Sequence, residues 1–195
     1  MLYGVGLGPG DRKLITFKAV EVIEKVDEVI VPGRMAYDLV RDIREPRIVE
    51  FPMGNSEKVA KDLATELAHR DDDVAFCCLG DPMFYSTFHH VVEELLKLRP
   101  DYEIEIVPGV SSISAALALA KIFVSYSLLV TTQDLSELDT VVVLKAKKPV
   151  QLERKLREQG FARFTLLENM FMDGEKIHMK MPERASYFSV LIARR

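Results

Sequence analysis

Apolar residues recur at every third position through Leu14, Phe17, Val20, Ile23 and Val26, with Lys18, Glu21, Glu24 and Lys25 between them. That spacing predicts an amphipathic helix. Before it, a short apolar strand beginning at Leu2 runs into Gly4, Gly6, Gly8, Pro9, Gly10 and then Asp11. So many glycines at one strand end mean a backbone that passes close to something, or takes dihedrals closed to other residues. Beyond the helix, Glu28 to Val31 reads as a strand stopped by Pro32-Gly33, Met35 to Ile43 as a helix, and Arg47 to Phe51 as a strand stopped by Pro52. Asn55 or Ser56 can cap a helix running to Arg70.

The run from Asp73 to Leu79, DVAFCCL, is nearly continuous apolar, as expected of a strand covered on both faces of a parallel sheet. It ends in Gly80-Asp81-Pro82. Phe84 to Leu98 reads as a helix closed by Pro100, and Tyr102 to Val107 as a strand closed by Pro108-Gly109. Ser111 or Ser112 then caps a small-residue helix, ISAALALAKIF. Repeated strand–helix units of this kind specify an α/β domain with a mainly parallel sheet. The breaks at Gly4–Gly10, Gly80–Pro82 and Pro108–Ser112 all follow strands, and the carboxyl ends of parallel strands share one side, where ligands bind. Three loops distant in sequence can therefore meet around one small molecule.

The second half is patterned differently. Tyr126 to Thr131, Thr140 to Leu144, Phe164 to Leu167, Ile177 to Met179 and Tyr187 to Ala193 are strand-like, and Pro149 starts a charged helix ended by Gly160. Met172-Asp173-Gly174-Glu175 has the composition of a hairpin turn. These readings give an N-terminal α/β domain over 1–112 and a C-terminal α+β domain with a mixed sheet over 113–195. No repeats or low-complexity linkers appear.

Composition narrows the function. A chain of 195 residues with net charge −4 can bury a real core, but lacks the basic balance that a nucleic-acid partner favours. There is no basic leader ahead of an apolar run and no long uncharged apolar stretch, so the expected setting is the cytoplasm, without a membrane span. Cys77 and Cys78 are neighbours on a strand and point to opposite faces, which suits small apolar residues in a reducing compartment. The histidines (His69, His89, His90, His178) match no metal-ligand spacing; His89 and His90, adjacent on a helix, are expected to diverge, and no metal is expected.

The first glycine loop invites a dinucleotide reading, with Asp27 at a suitable distance. The spacing refuses it. A fingerprint starting at Gly4 needs its third glycine where Pro9 stands, and one starting at Gly6 needs it at Asp11. A structural turn or a loop for a different ligand remains.

GVGLGPGD at the start, LGDPMFYSTF at 79–88 and EIVPGVSSISAALA at 105–118 together resemble the tetrapyrrole (corrin and porphyrin) methylase family, over essentially the whole chain. Tyr85-Ser86-Thr87-Phe88, Phe51-Pro52-Met53 and Tyr187-Phe188-Ser189 are most similar to its precorrin-2 or cobalt-factor II C20-methyltransferases. The departures are Arg12, where the family more often has proline, and a shortened segment between Ala120 and Val141.

The resemblance implies S-adenosylmethionine as methyl donor, a tetrapyrrole substrate, two domains with the cofactor held between them, and a homodimer. It implies cofactor contacts from Gly80, Asp81, Phe84, Ser111 and Ser112, with Lys145 and Ala146 in a third region and Leu167, Glu168 and Asn169 as adenosine neighbours. Gly6, Gly8, Pro9 and Arg12 would face the macrocycle. Asp11 either accepts loop amides or acts on substrate, and Ser111 and Ser112 are equally well explained as helix caps. Tyr85, then Asp11, then His89 are the residues considered for a base. The substrate is rich in carboxylates, so some of Arg12, Lys13, Arg34, Lys145, Lys147 and Lys148 are expected to meet it. A sibling corrin methylase, a diphthine synthase and a non-catalytic ligand-binding domain are the alternatives.

Overall fold

The computed structural model describes residues 1–52, 56–131 and 138–195. Among these the chain forms two compact units, Met1–Leu128 and Leu129–Arg195. The small-residue helix therefore groups with the first unit, whereas the boundary expected at 112/113 had placed it in the second.

The first unit is built on a five-stranded sheet in the order β3-β2-β4-β1-β5, parallel throughout. The strands are β1 Leu2–Gly6, β2 Glu28–Val31, β3 Arg47–Ile48, β4 Val74–Cys78 and β5 Ile104–Val107. The helices are α1 Phe17–Lys25, α2 Arg34–Val40, α3 Ser56–Ala68, α4 Thr87–Leu98 and α5 Ser112–Ala120. The period of two along the strands sorts side chains into two cores. Val74, Phe76 and Cys78 of β4 join Ala60, Leu63, Leu67 of α3 and Phe88, Val91, Leu95 of α4 on one face. Ala75 and Cys77 join Ala19, Ile23 of α1 and Ala36, Leu39, Val40 of α2 on the other. All five β4 residues are buried, which is why the sequence there shows no alternation. The two cysteines are free thiols and lie on opposite faces, as read.

Two expectations fail here for physical reasons. Phe17 is 91% exposed, and the buried stripe of α1 is Ala19 and Ile23, four apart. Thr16 caps the helix by accepting from Ala19 N at 3.1 Å, so Phe17 opens the first turn beyond the sheet's reach. The helix expected from Phe84 starts instead at Thr87, because Ser86 caps it, accepting from Phe88 N at 3.1 Å. Met53 and Asn55 fall outside the described residues.

The second unit contains β6 Thr140–Leu144, α6 Pro149–Glu158, β7 Arg163–Glu168, β8 Lys176–His178 and β9 Ser189–Arg194. Its sheet runs β6-β9-β7-β8, and every pair is antiparallel, not mixed. α6 carries the chain from β6 over to β7, two strands that run in the same direction with the antiparallel β9 between them. α6 packs Leu156 onto Phe164, Leu166, Leu191 and Ala193. The turn at Met172–Glu175 forms, with Glu175 N bonded to Met172 O at 3.2 Å and Gly174 at φ 81°, but at the tip of a longer β7–β8 connection. No strand forms over Tyr126–Thr131, where Tyr126 is fully exposed. Aromatic and β-branched content gives strand propensity, which by itself does not make a strand.

Candidate functional site

In the first unit the parallel register places Gly6 beside Cys78 and Val5 beside Val107, so the strand ends that feed the three glycine loops are level. The loops are then bonded together. Leu7 N donates to Cys78 O at 2.9 Å, Gly8 N to Gly80 O at 3.2 Å and Gly80 N back to Gly8 O at 2.7 Å. Gly109 completes the junction, because a Cβ there would lie 2.1 Å from Gly80 O and 2.8 Å from the Cα of Gly6. A Cβ on Gly6 would meet the Cα and N of Gly109 at 2.5 Å. Glycine is required at this contact because three backbones fill the space a side chain would take.

Asp81 locks the junction. Its Oδ1 accepts from Met83 N at 2.8 Å and its Oδ2 from Gly109 N at 3.1 Å, so one carboxylate orders its own turn and ties it to the β5 loop. The turn then holds Met83, Phe84 and Tyr85 out at 67%, 50% and 69% exposure. Tyr85 sits at φ 51°, a left-handed conformation that few non-glycine residues adopt without local demand. This is an exposed apolar and aromatic rim beside a rigid backbone floor.

The first glycine loop divides into an inner and an outer part. Gly6 and Gly8 are buried, and a Cβ on Gly8 would meet Leu14 O at 2.9 Å. These two glycines therefore build the loop against the protein itself; the space at Gly8 belongs to Leu14. Pro9 is half-buried and Gly10 exposed, so the outer edge offers the surface. Asp11 accepts from Lys13 N at 2.9 Å and caps a single 3-10 turn, Arg12–Leu14, so its carboxylate does accept a loop amide. Arg12 turns away toward α2, donating to the Asp42 carboxylate and the Asp38 carbonyl. That guanidinium holds the Asp42 carboxyl below the usual range. Ser111 caps α5 by accepting from Ile113 N at 3.2 Å, and Ser112 follows it, exposed.

In the second unit, Lys145 ends β6 at φ 55°, Ala146 is buried in the core, and Lys147 N bonds to Lys145 O at 2.8 Å. The turn sends both lysines outward, with their Nζ atoms 5.0 and 4.9 Å from the ring centre of Tyr187. The Lys145 hydrogen bond, backed by both charges, lowers the Tyr187 phenol below its ordinary value. Nearby, Glu168 accepts from Ser186 N at 2.5 Å and pairs with His178 Nε2 at 2.9 Å, contacts that hold its carboxyl low. Asn169, at φ 53°, accepts from Ser186 Oγ at 3.2 Å. Ser186, His178 and the pairing of Tyr187 with two lysines escaped the sequence reading. The signal that finds the lysine–tyrosine group is the strand pair Leu144–Val190, which brings the ends of β6 and β9 together.

The loop amides test the cofactor class. Those of Gly8, Gly80 and Gly109 are all bonded within the junction, leaving none of the three to cradle a pyrophosphate.

Residues 1–180 match the family of Tetrapyrrole (Corrin/Porphyrin) Methylases. A probable cobalt-precorrin-2 C(20)-methyltransferase of Methanocaldococcus jannaschii is 32% identical, covering 100% of this chain and 96% of the relative. A probable cobalt-precorrin-7 C(5)-methyltransferase of the same organism is 28% identical over 92% of this chain and 89% of its own. The crystal structure of the methyltransferase CobJ aligns at a TM-score of 0.52 with 18% identity, over 99% of this chain and 93% of that one, a likeness of fold. The junction of glycine loops, the two-unit architecture and the family match together place this chain among the tetrapyrrole (corrin and porphyrin) methylases, S-adenosylmethionine-dependent methyltransferases.

Proposed function

We propose that the protein methylates C20 of precorrin-2 or cobalt-factor II in cobalamin biosynthesis. The observation that carries this reading is the end-to-end correspondence with a relative named for C(20) methylation. The nearly full-length likeness to a relative named for C(5) methylation makes a sibling corrin methylase the second reading.

Bound S-adenosylmethionine supplies a methyl group already activated on a positively charged sulfur. What this chain adds is placement, since holding carbon and methyl in line converts a bimolecular encounter into a near-unimolecular step. In this proposal the loop tied by Asp81, together with Gly80, Phe84, Ser111 and Ser112, holds the cofactor, and Lys145 and Ala146 of the second unit keep the cofactor role that the family resemblance implies for them. The unused lone pairs of Asp81 suit an ammonium, and Phe84 offers an apolar face. Ala146 would contribute only backbone, its side chain being buried.

Pro9 and the outer edge of the first loop would face the flat substrate, with Gly6 and Gly8 shaping that edge from within. Arg12 braces the edge through Asp42, leaving carboxylate recognition to Lys145, Lys147 and other surface cations. Tyr85, on the exposed rim, is the first residue to test as a base, ahead of Asp11, whose carboxylate is engaged in its cap. A homodimer belongs to the same proposal and is supported by α5, none of whose residues is buried, by the exposed Leu119 near its end and by the exposed Ile122 and Phe123 beyond it.

Incubation with methyl-labelled S-adenosylmethionine and either metal-free or cobalt-loaded factor II, followed by NMR of the product, tests the assignment. Label at C20 is expected. Label at another ring carbon supports the sibling reading; no transfer to either substrate overturns the C20 reading, and no transfer to cobalt-precorrin-7 either overturns both.

A further inference from the structure

One group of side chains has no part in the loop junction. α4 opens Thr87-Phe88-His89-His90, and while Phe88 is buried, His89 and His90 face solvent with Glu93 one turn further on. The sequence suggested that the two imidazoles diverge; their ring centres instead lie 5.7 Å apart. His89 Nε2 is 3.4 Å from Glu93 Oε1, and His90 Nδ1 is 4.0 Å from Glu93 Oε2. One donor atom from each of the three lies within 4.8 Å of the other two. We propose that His89, His90 and Glu93 form a surface site for a first-row divalent cation of the Co2+, Ni2+, Cu2+ or Zn2+ class.

The spacing explains why the three converge. Residues three and four apart lie on one face of a helix, and Glu93 stands at both spacings, four from His89 and three from His90. Ligand bonds of about 2.0–2.2 Å require donors roughly 3–3.5 Å apart. The observed separations need only small rotations of exposed side chains to reach that range. The backbone does not have to move, because Phe88, Val91 and Leu95 fix α4 on the sheet from its other side.

The donor set selects the metal. Two neutral imidazoles and one carboxylate suit the later transition metals, whereas Mg2+ and Ca2+ want all-oxygen shells. The neighbouring Glu94 is engaged by Lys97 at 2.5 Å, so Glu93 is the carboxylate left to the histidines. Three protein ligands leave coordination positions open to water or to another donor. A metal on His89 Nε2 also occupies the lone pair that a base would need, so at that nitrogen the two roles exclude each other.

The test uses the full chain, stripped with a chelator and titrated with Co2+, whose visible bands report coordination. Calorimetry gives stoichiometry and affinity. One equivalent is expected, with imidazole-bound Co2+ bands. Glu93→Gln and the double variant His89→Ala/His90→Ala should weaken binding by more than the roughly 10–100-fold that loss of a ligand's hydrogen-bond partner costs. His69→Ala and His178→Ala should bind as the unsubstituted protein does. Circular dichroism checks that each variant is folded. Absence of binding by the unsubstituted protein, undiminished affinity in the double variant, or loss of the bands in His178→Ala or His69→Ala overturns the proposal.

Discussion

Replacing Gly109 by alanine tests the three-backbone contact directly. The new Cβ would stand 2.1 Å from Gly80 O, 2.8 Å from Gly6 Cα and 2.9 Å from Gly6 C. Ordinary contact between such atoms is about 3.5 Å, so one strand end must retreat by more than about 1 Å. Every opposing atom is backbone, and no side-chain rotation relieves the overlap. Gly80 O is also held by Gly8 N, and Gly109 N by Asp81, so a retreat stretches both bonds. Overpacking costs about 1–3 kcal/mol, a neutral hydrogen bond contributes about 0.5–1.5 kcal/mol and one to a charged group about 1.5–3 kcal/mol. These overlap, and about 3–5 kcal/mol is the reasonable total. For a chain of 195 residues each kcal/mol is worth about 2–4 °C, giving a drop of roughly 6–20 °C in melting temperature. The control is Gly33→Ala, because Gly33 has extended backbone at φ 165° and nothing within 4 Å of its absent Cβ. Calorimetric melting of the three proteins decides the matter. If Gly109→Ala melts within about 2 °C of the unsubstituted protein, or no lower than Gly33→Ala, close approach is not why glycine stands there.

Asp81→Ala should lower stability by about 1.5–3 kcal/mol and weaken S-adenosylhomocysteine binding, with Asp81→Asn between it and the parent because one acceptor oxygen survives; unchanged melting and affinity in Asp81→Ala would dismiss the lock. Glu168 has its folded-state carboxyl lowered, so its contribution is complete above the unfolded carboxylate range and is lost as pH falls through the folded value. Melting temperature measured down through that range should therefore fall less steeply for Glu168→Gln than for the parent. Cys77 is fully buried with its thiol pushed well up, and Cys78 is 4% exposed with its thiol pushed up to about 11. Neither should react with a disulfide reagent near neutral pH until denaturant unfolds the first unit, and rapid labelling of native protein would contradict the packing. Tyr187 should ionise at lower pH than Tyr3, Tyr37 and Tyr102, whose phenols are raised, and Lys145→Gln should raise its titration midpoint, read by ultraviolet difference spectra or NMR.

What the sequence revealed follows from what periodicity measures. β2 and β6 were found with their observed ends, and β4 was recognised as doubly covered, because alternation and its absence report how many faces are buried. The three loop motifs were found because glycine and proline mark the ends of parallel strands. Periodicity cannot say whether a neighbour exists. Phe17 lies in register with the apolar stripe of α1 and is exposed, α5 is apolar with no buried residue, and Tyr126–Thr131 has strand composition yet forms no strand. Contacts across distant segments were equally hidden. Neither the contact of Arg12 with Asp42, just past α2, nor the approach of Leu14 to Gly8 is visible in the spacing of residues. Lys145 and Tyr187 meet only because β6 pairs with β9.

The position of β1 in the sheet shapes how the chain must be made. It is the first strand of its sheet to be synthesised, yet its neighbours are β4 and β5, with Leu2 paired to Val74 on one side and Ile104 on the other. At about 5–20 residues per second, a ribosome leaves this apolar strand without either partner for several seconds. Pairing so distant in sequence also slows the folding of the released chain, because loop closure precedes the contacts that reward it. The strand that carries the first glycine loop is therefore the last to be enclosed on both sides, and nascent chains truncated before β5 present it as an open edge for association.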